Sequence, residues 1–259
     1  MKPKRAAKKP STSWGKVSHW YDAHVEGEGT YHTTVVLPGS TRLLGIKKGE
    51  NVLDIACGQG FFSRALTALG AHVDGVDISP ELIEIAKSNT SDPAAFRVAN
   101  AEDLSFIPQG TYDVATLMLA IQNIRDLDKA LSEASRVLKL GGRFLIVMNH
   151  PVFRIPHASS WGYDEKSKVQ YRRLDRYLSE ATSFIDMNPG RKEGESKVET
   201  VSYHRPLQVY VKALLKNGFH IERLEEWISD KTSETGPRQH AENAARKEFP
   251  LFMALELKK

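Results

Sequence analysis

The chain has 259 residues, 41% of them hydrophobic and 26% charged, which is ordinary for a globular protein. That length allows one large α/β domain with an elaboration, or two small domains. No apolar run approaches the roughly 18 residues of a membrane-spanning helix, the first ten residues lack the apolar stretch of a secretory signal, and a single cysteine excludes an internal disulfide. We therefore expect a cytoplasmic protein that does not enter a membrane.

The net charge of +4 is concentrated at the start of the chain. The first ten residues carry five basic side chains and no acid, which leaves 31 basic and 32 acidic residues in the rest. Residues 1–13 are therefore predicted to form a disordered basic tail, with a polyanion-binding arm as the alternative. A nucleic-acid partner is possible but is not favoured by the nearly neutral body.

Strand and helix patterns alternate from residue 51 onward, which predicts an α/β fold with a doubly wound, mostly parallel sheet. Ser79, Pro80 and Glu81 together form a helix start, since they supply a cap, a suitable first residue and a charge that complements the helix dipole. A glycine pair at 141–142 is expected to separate a helix from the fifth strand. The predicted strands are 51–56, 72–78, 95–99, 112–119, 143–148, 219–227 and 251–257, and the predicted helices are 60–69, one that begins at 79, 126–138, 206–216 and a short one at 241–248.

Four regions follow from this pattern. Residues 1–13 are the tail, and residues 14–149 combine lead-in helices with the ligand-binding half of the domain. Residues 150–205 show no clean period and are too long for a passive loop, so we expect an inserted substrate cap between the fifth strand and the next helix. Residues 206–259 return to the same domain with a helix and the last two strands.

The glycine turn after the first strand carries the strongest functional signal. Gly58 and Gly60 let the backbone approach a ligand, and the next helix points its free N–H groups at the same place. Asp77 ends the second strand, where a carboxylate can bind ribose hydroxyls, although a solvated strand end or a helix cap is the alternative. Asp54 lies inside the first strand, an unusual place for a charge unless it organises the turn or the ligand. Ser63 stands where a dinucleotide fingerprint needs its third glycine, which argues against a nicotinamide dehydrogenase.

Five segments resemble the motifs of class I S-adenosylmethionine-dependent methyltransferases of the small-molecule, methyltransferase-11-like type. Residues 52–60 resemble their first motif and residues 76–79 their second. Residues 99–106 resemble the segment that frames adenine, and residues 112–119 with 134–143 resemble the surroundings of the fourth and fifth strands. The resemblance implies a seven-stranded Rossmann-like sheet, S-adenosyl-L-methionine as cofactor, and methyl transfer to a small-molecule O, N or C nucleophile.

The same resemblance assigns roles to individual residues. The turn would hold the methionine portion, Asp77 the ribose, Ala101 and Glu102 the adenine, and Leu119 would lie beside the sulfonium. Asn100 is a departure from the family pattern, since many relatives have Asp there. The complete predicted cofactor set is Tyr21, Asp54, Ala56, Gly58, Gly60, Asp77, Ile78, Ala101, Glu102, Leu119 and Gln122. For Tyr21 the alternative is aromatic packing, and for Gln122 it is a polar surface position.

Catalytic residues are harder to identify, because the cofactor is already activated and a base is needed only for a protonated nucleophile. His150 directly follows the fifth strand and is the first candidate, with a strand-end cap as the alternative. His204, at the end of the insertion, is the second candidate, with a structural role as the alternative. The histidines are scattered without metal-ligand spacing, so no metal site is expected.

Two further functions remain open. One is an RNA methyltransferase that uses the basic N-terminal arm. The run Leu119-Ala-Ile-Gln122 lacks the proline motif of enzymes that methylate base amines, and Cys57 is the only cysteine, which leaves no nucleophile of the cytosine-C5 type. The other is a regulator that binds the cofactor without turnover.

Overall fold

The computed structural model describes Trp14, Gly27 and residues 29–92, 95–187 and 197–259. The predicted tail and Tyr21 lie outside the described residues. The helices are α1 Leu37–Leu44, which continues a π-helical turn at His32–Val36, α2 Phe61–Ala68, α3 Pro80–Ser88, α4 Leu127–Val137, α5 Leu207–Lys216 and α6 Gln239–Glu248. The strands are β1 Asn51–Ile55, β2 His72–Asp77, β3 Phe96–Val98, β4 Tyr112–Met118, β5 Leu138–Asn149, β6 Ser159–Asp164, β7 Val169–Leu174, β8 Ala181–Asp186, β9 Glu199–His204, β10 His220–Trp227 and β11 Phe252–Lys258.

Seven strands form one sheet in the order β10-β11-β5-β4-β1-β2-β3. All neighbours in it are parallel except β11, which is antiparallel to both β10 and β5. The order reverses between β1 and β4, and ligands of open α/β sheets gather at the carboxyl ends of strands at such a point. The predicted α/β, doubly wound, mostly parallel sheet is confirmed.

Helices cover the two faces of the sheet, so the central strands are buried on both sides and read as continuous apolar runs. On one face α4 and α5 pack through residues such as Leu131 and Leu214. On the other face α1 and α2 pack against the sheet through Leu43 and Leu66. Among the described helices, none is long and apolar enough to cross a membrane.

The predicted start of α3 has the expected chemistry. The Ser79 hydroxyl accepts a hydrogen bond from the Leu82 N–H at 3.3 Å, and Pro80 is the first helical residue. The prediction that the glycine pair at 141–142 separates a helix from the fifth strand is wrong. β5 already begins at Leu138, so the pair lies within the strand. Residues 139–142 then loop out, since Tyr112 pairs with Leu138 while Val114 pairs with Arg143. Gly141 allows that excursion with a φ of +73°.

The region predicted as an insertion contains two antiparallel hairpins, β6–β7 and β8–β9, which we call the cap hairpins. In β9 the polar side chains Thr200, Ser202 and His204 are buried, whereas Phe184 of β8 is 60% exposed. Polar residues therefore face inward and an apolar residue faces outward. This inversion explains why the segment shows no ordinary strand pattern in the sequence.

Candidate active site

A cavity of about 310 Å³ opens at the carboxyl ends of β1, β2 and β4. Its volume is at the lower end of the range typical of small-molecule sites, and its walls are mostly apolar. The cap hairpins contribute to it through β9. The lining residues are Trp14, Ala56, Gly58, Asp77, Ile78, Leu82, Ala99, Asn100, Ala101, Glu102, Met118, Leu119, Ala120, Asn123, Ile124, Arg125, Thr200 and Val201.

Two lining residues at strand ends have a left-handed backbone although neither is glycine. Ala56 follows β1 with a φ of +57°, and Leu119 follows β4 with a φ of +55°. Such conformations cost about 1 kcal/mol or more and persist where the surrounding fold imposes them, commonly at ligand sites. The Leu119 N–H remains bonded to the Val147 carbonyl at 2.7 Å, which anchors this turn to β5.

The Asp77 carboxylate joins the two turns that border the cavity. One oxygen accepts the Gly58 N–H at 3.0 Å, and the other accepts the Ser79 N–H at 2.8 Å. Burial raises the pKa of Asp77, while the hydrogen bonds from the backbone oppose that rise. The side chain is only 8% exposed and lines the cavity, so it presents a carboxylate to whatever binds there.

Asp54 does not line the cavity but stabilises the elements on either side of the glycine turn. It is 1% exposed and accepts hydrogen bonds from the Ser63 hydroxyl at 2.6 Å and the Thr116 hydroxyl at 2.8 Å. It thereby ties the start of α2 to β4. Burial raises the pKa of Asp54 to about 6, against the effect of both hydroxyls. Ser63, which in the sequence only argued against a dinucleotide site, is thus a partner of this carboxylate.

The segment after β3 is held in place by α4. Arg136 donates to the carbonyls of Leu104 and Ile107, both at 2.7 Å, and also pairs with Glu133. At the cavity itself the Asn100 side-chain oxygen accepts the Glu102 N–H at 3.0 Å, which fixes the turn locally. The side chain that departs from the family pattern therefore has a clear structural contact.

A third wall of the cavity comes from residues that the sequence reasoning missed. Asn123 donates from Nδ2 to the Val201 carbonyl at 2.7 Å and so connects the loop after β4 to β9. Thr200 and Arg125 also line this end. A period of two in the sequence, with Thr200, Ser202 and His204 on one face, could have predicted β9. Because these buried residues are polar, the segment does not show the apolar alternation by which a strand is usually recognised.

Seven members of the predicted cofactor set line one cavity, namely Ala56, Gly58, Asp77, Ile78, Ala101, Glu102 and Leu119. Asp54, Gly60 and Gln122 are near it in the chain but do not line it. Gly60 has a φ of +82°, and a Cβ there would lie 3.1 Å from the Phe96 ring, so both the backbone conformation and the packing favour glycine. Gln122 donates to the Leu119 carbonyl at 2.6 Å. Tyr21 is outside the described residues.

The two histidines proposed as bases are also not among the residues that line the cavity. His150 accepts the Val152 N–H at Nδ1, and its Nε2 lies 2.7 Å from a Glu226 carboxylate oxygen on β10. Nε2 therefore carries the hydrogen and donates it to Glu226. Burial lowers the pKa of His150, and Glu226 opposes this effect. The Nε2 of His204 lies 2.8 Å from the backbone carbonyl of Tyr177, to which it donates.

Within the described residues, no group of three or more His, Cys, Asp or Glu side chains could hold a metal ion. Arginine and tyrosine side chains between residues 171 and 177 form hydrogen bonds with neighbouring segments. Arg172 donates to the Phe153 carbonyl at 2.9 Å, and the Tyr177 hydroxyl accepts the Leu207 N–H at 3.0 Å. These contacts connect the cap hairpins to neighbouring segments.

Residues 53–146 match a family model described as a methyltransferase domain. Demethylmenaquinone methyltransferase of Tropheryma whipplei (strain Twist) is 34% identical over 113 residues, which cover 42% of this chain and 46% of that protein. Ubiquinone biosynthesis O-methyltransferase of Xanthomonas oryzae pv. oryzae (strain PXO99A) is 34% identical over 105 residues, 39% of this chain and 44% of that protein. The chain spans about half the length of the curated relatives it matches.

The similarity to solved structures extends further along the chain. The crystal structure of an S-adenosylmethionine-dependent methyltransferase from Mesorhizobium loti has a TM-score of 0.67 with this fold, at 25% identity. It covers 86% of this chain and 96% of the other. The similarity therefore includes the regions before and after the matched domain.

Proposed function

Residues 53–146 place this chain among the class I S-adenosylmethionine-dependent methyltransferases, and from that premise we propose that the protein transfers the methyl group to a small-molecule O, N or C nucleophile. S-adenosyl-L-methionine is the cofactor of the family. The names of the curated relatives refer to demethylmenaquinone and to ubiquinone biosynthesis, which supports a small acceptor. The single Cys57 suits a reducing compartment, and a cytoplasmic location is part of the same proposal.

The observation that carries the proposal is a single cavity shared by the predicted cofactor residues and the cap hairpins. The buried Asp77 carboxylate offers acceptors for ribose hydroxyls, and Ile78, Ala101 and Glu102 supply walls for adenine. At the other end Leu119 and Val201 form an apolar space next to the Asn123 amide. A nucleoside cofactor and a small acceptor can therefore meet inside one enclosure.

Two orphaned amide groups also fit a cofactor that ends in an amino acid. Gln59 lies in the glycine turn, and its Nε2 is buried without a hydrogen-bond partner among the described residues. Gln122 follows Leu119, and its Oε1 is likewise buried without a partner in the described part of the chain. Buried polar groups of this kind cost free energy unless they bind something. Although neither side chain lines the cavity, an unpaired donor in the glycine turn would suit a carboxylate, and an unpaired acceptor after β4 would suit an ammonium group.

The residues of this chain contribute by binding, orientation and exclusion of water. The bound cofactor supplies an electrophilic methyl group on a sulfonium. The turn from Ala56 to Gly60 and Asp77 would fix one reactant, while Asn123 holds β9 over the other. Alignment of this kind accounts for much of the acceleration of a two-reactant displacement. His150 and His204 remain the predicted base candidates, and that role requires a movement toward the cavity.

The experiment is a transfer assay with cofactor that carries a deuterated methyl group. The full chain is incubated with phenols, amines and carboxylic acids, and products are measured by mass spectrometry. We expect the label in an acceptor together with release of S-adenosylhomocysteine. Cofactor binding without a labelled product from any acceptor, including RNA, would instead favour a regulator.

A further inference from the structure

A second concave region adjoins the cavity. It has a volume of about 740 Å³ and lies between the start of α4 and one side of α5, and we call it the α4–α5 groove. Glu102 and Arg125 line both the cavity and this groove. The cavity and the groove therefore share a boundary that these two residues form.

Some charges that line the groove neutralise each other. Asp126 caps α4 and lies 3.4 Å from the Lys129 ammonium. Asp128 pairs with Lys216 of α5. These two pairs account for two of the acids of the groove and two of its bases.

The remaining charges favour an anion. Arg125, Arg205 and Lys212 line the groove, and none of them has a salt-bridge partner among the described residues. The acids left to face them are Glu102, which accepts the Asp126 N–H at 2.9 Å, and Glu180. Three cations therefore face two carboxylates after the internal pairs are removed.

Arg205 is the most unusual of the three cations. It is 6% exposed, and its Nη2 donates to the carbonyls of Ile124 and Arg125 at 2.9 and 2.7 Å. Its Nη1 has no hydrogen-bond partner in the described part of the chain, and its guanidinium lies 5.1 Å from the centre of the Tyr203 ring. Among the described residues no carboxylate lies within salt-bridge distance of this buried guanidinium, although its charge contributes to the lowered pKa of Asp126. An anion in the adjoining groove would therefore be stabilised by Arg205.

We infer that the α4–α5 groove binds an oxyanion, a carboxylate or a phosphate, carried by the methyl acceptor. This rests on the proposed function, because the acceptor would occupy the cavity with its nucleophile while its anionic group passes Arg125. The acceptor is then a molecule with an apolar body and one anionic substituent. Lys212 acts as a specificity-determining residue, since it lines the groove but not the cavity.

The test is calorimetric titration of the full chain, in the presence of S-adenosylhomocysteine, with phenyl phosphate, benzoate and the neutral analogue benzamide. We expect saturable binding of at least one of the two anions and weaker binding of benzamide. The anion that binds more tightly shows whether the groove favours a phosphate or a carboxylate. Absence of saturable binding by both anions overturns the inference, and so does equal affinity for benzamide.

Three variants refine the test. Lys212→Gln is expected to weaken binding of the favoured anion about fivefold, the upper range for one exposed charge pair. Glu180→Gln removes a groove carboxylate and is expected to strengthen that binding. Lys247 is an exposed lysine on α6, away from the groove lining. Lys247→Gln makes the same charge change there and is expected to leave the affinity for the anion unaltered. Equal affinities of the Lys212→Gln and Lys247→Gln variants overturn the inference.

The same titrations separate this inference from the proposed function. Lys212 does not line the cavity, so S-adenosylhomocysteine affinity is expected to be equal in the wild type and in Lys212→Gln. Failure of the cofactor analogue to bind would count against the proposed function. Normal binding of the analogue with no effect of Lys212→Gln on anion affinity would refute only the anion groove.

Discussion

Replacement of Asp54 by Asn tests the assignment of this carboxylate as a support of the glycine turn. Asp54 is buried and receives hydrogen bonds from the hydroxyls of Ser63 and Thr116. Asn has nearly the same shape but no charge. One of the hydroxyls can rotate to accept from the new amide, so the contacts of the carboxylate can be kept. The substitution therefore mainly removes the cost of burying a charge.

The pH dependence gives the magnitude and sign of the effect. The pKa of Asp54 is about 6 in the folded protein, compared with an ordinary 3.8, and at about 1.4 kcal/mol per pKa unit the difference corresponds to about 3 kcal/mol. A raised pKa means that the folded state binds the proton more tightly than the unfolded state. The group's stabilising contribution is complete below pH 3.8 and is lost as the pH rises through about 6. The wild type should therefore lose about 3 kcal/mol relative to Asp54→Asn between pH 4 and pH 7.

The assay is urea unfolding of both proteins at several pH values, with the difference in unfolding free energy plotted against pH. Subtraction removes the contributions of groups that titrate equally in both. Asp230→Asn, at an exposed position, is the matched control and should show no such trend. A difference between wild type and Asp54→Asn that does not change with pH would refute the reasoning.

Three further substitutions give separable results. Gly60→Ala should lower the free energy of unfolding more than Gly110→Ala, by about 1–3 kcal/mol, because both glycines have a positive φ but only at Gly60 would a Cβ crowd the Phe96 ring, at 3.1 Å. Equal losses in urea unfolding would contradict this. His150→Gln should reduce stability by about 1 kcal/mol, because two partly buried hydrogen bonds are changed, and should leave cofactor affinity unaltered in calorimetry. If it instead removed one limb of the pH profile of turnover, His150 would be a base. Asn123→Ala should raise the hydrogen-exchange rate of β9 amides by releasing the bond to its backbone, and unchanged protection would show that the bond does not hold the cap.

The grouping of seven predicted residues around one cavity was predictable because its signals are local. Gly58 and Asp77 follow or end adjacent strands. Because β1 and β2 are parallel, the Gly58 N–H lies 3.0 Å from a carboxylate oxygen of Asp77. The role of Ser79 is equally local, since its hydroxyl caps the helix that begins at the next residue. Short-range chemistry and strand order together fixed these positions.

Other positions depended on contacts that no local pattern reveals. His150 was placed at the correct edge of the sheet, but its ring turns to Glu226, 76 residues away in the chain. The cap hairpins were hidden because Thr200 points inward while Phe184 points outward, the reverse of the usual alternation. Which way these side chains face depends on strand pairing and on the backbone direction at strand ends. A single sequence carries little information on either.

The most direct test of the central claim is calorimetric titration of S-adenosyl-L-methionine into the wild type, Asp77→Asn and Asp74→Asn. Asp74 lies on the same strand as Asp77 but does not line the cavity, so it controls for the loss of one carboxylate from β2. The cavity assignment predicts that the wild type and Asp74→Asn bind equally, and that Asp77→Asn binds about tenfold more weakly or worse. Equal affinity of the wild type and Asp77→Asn, or no binding by the wild type, would contradict it.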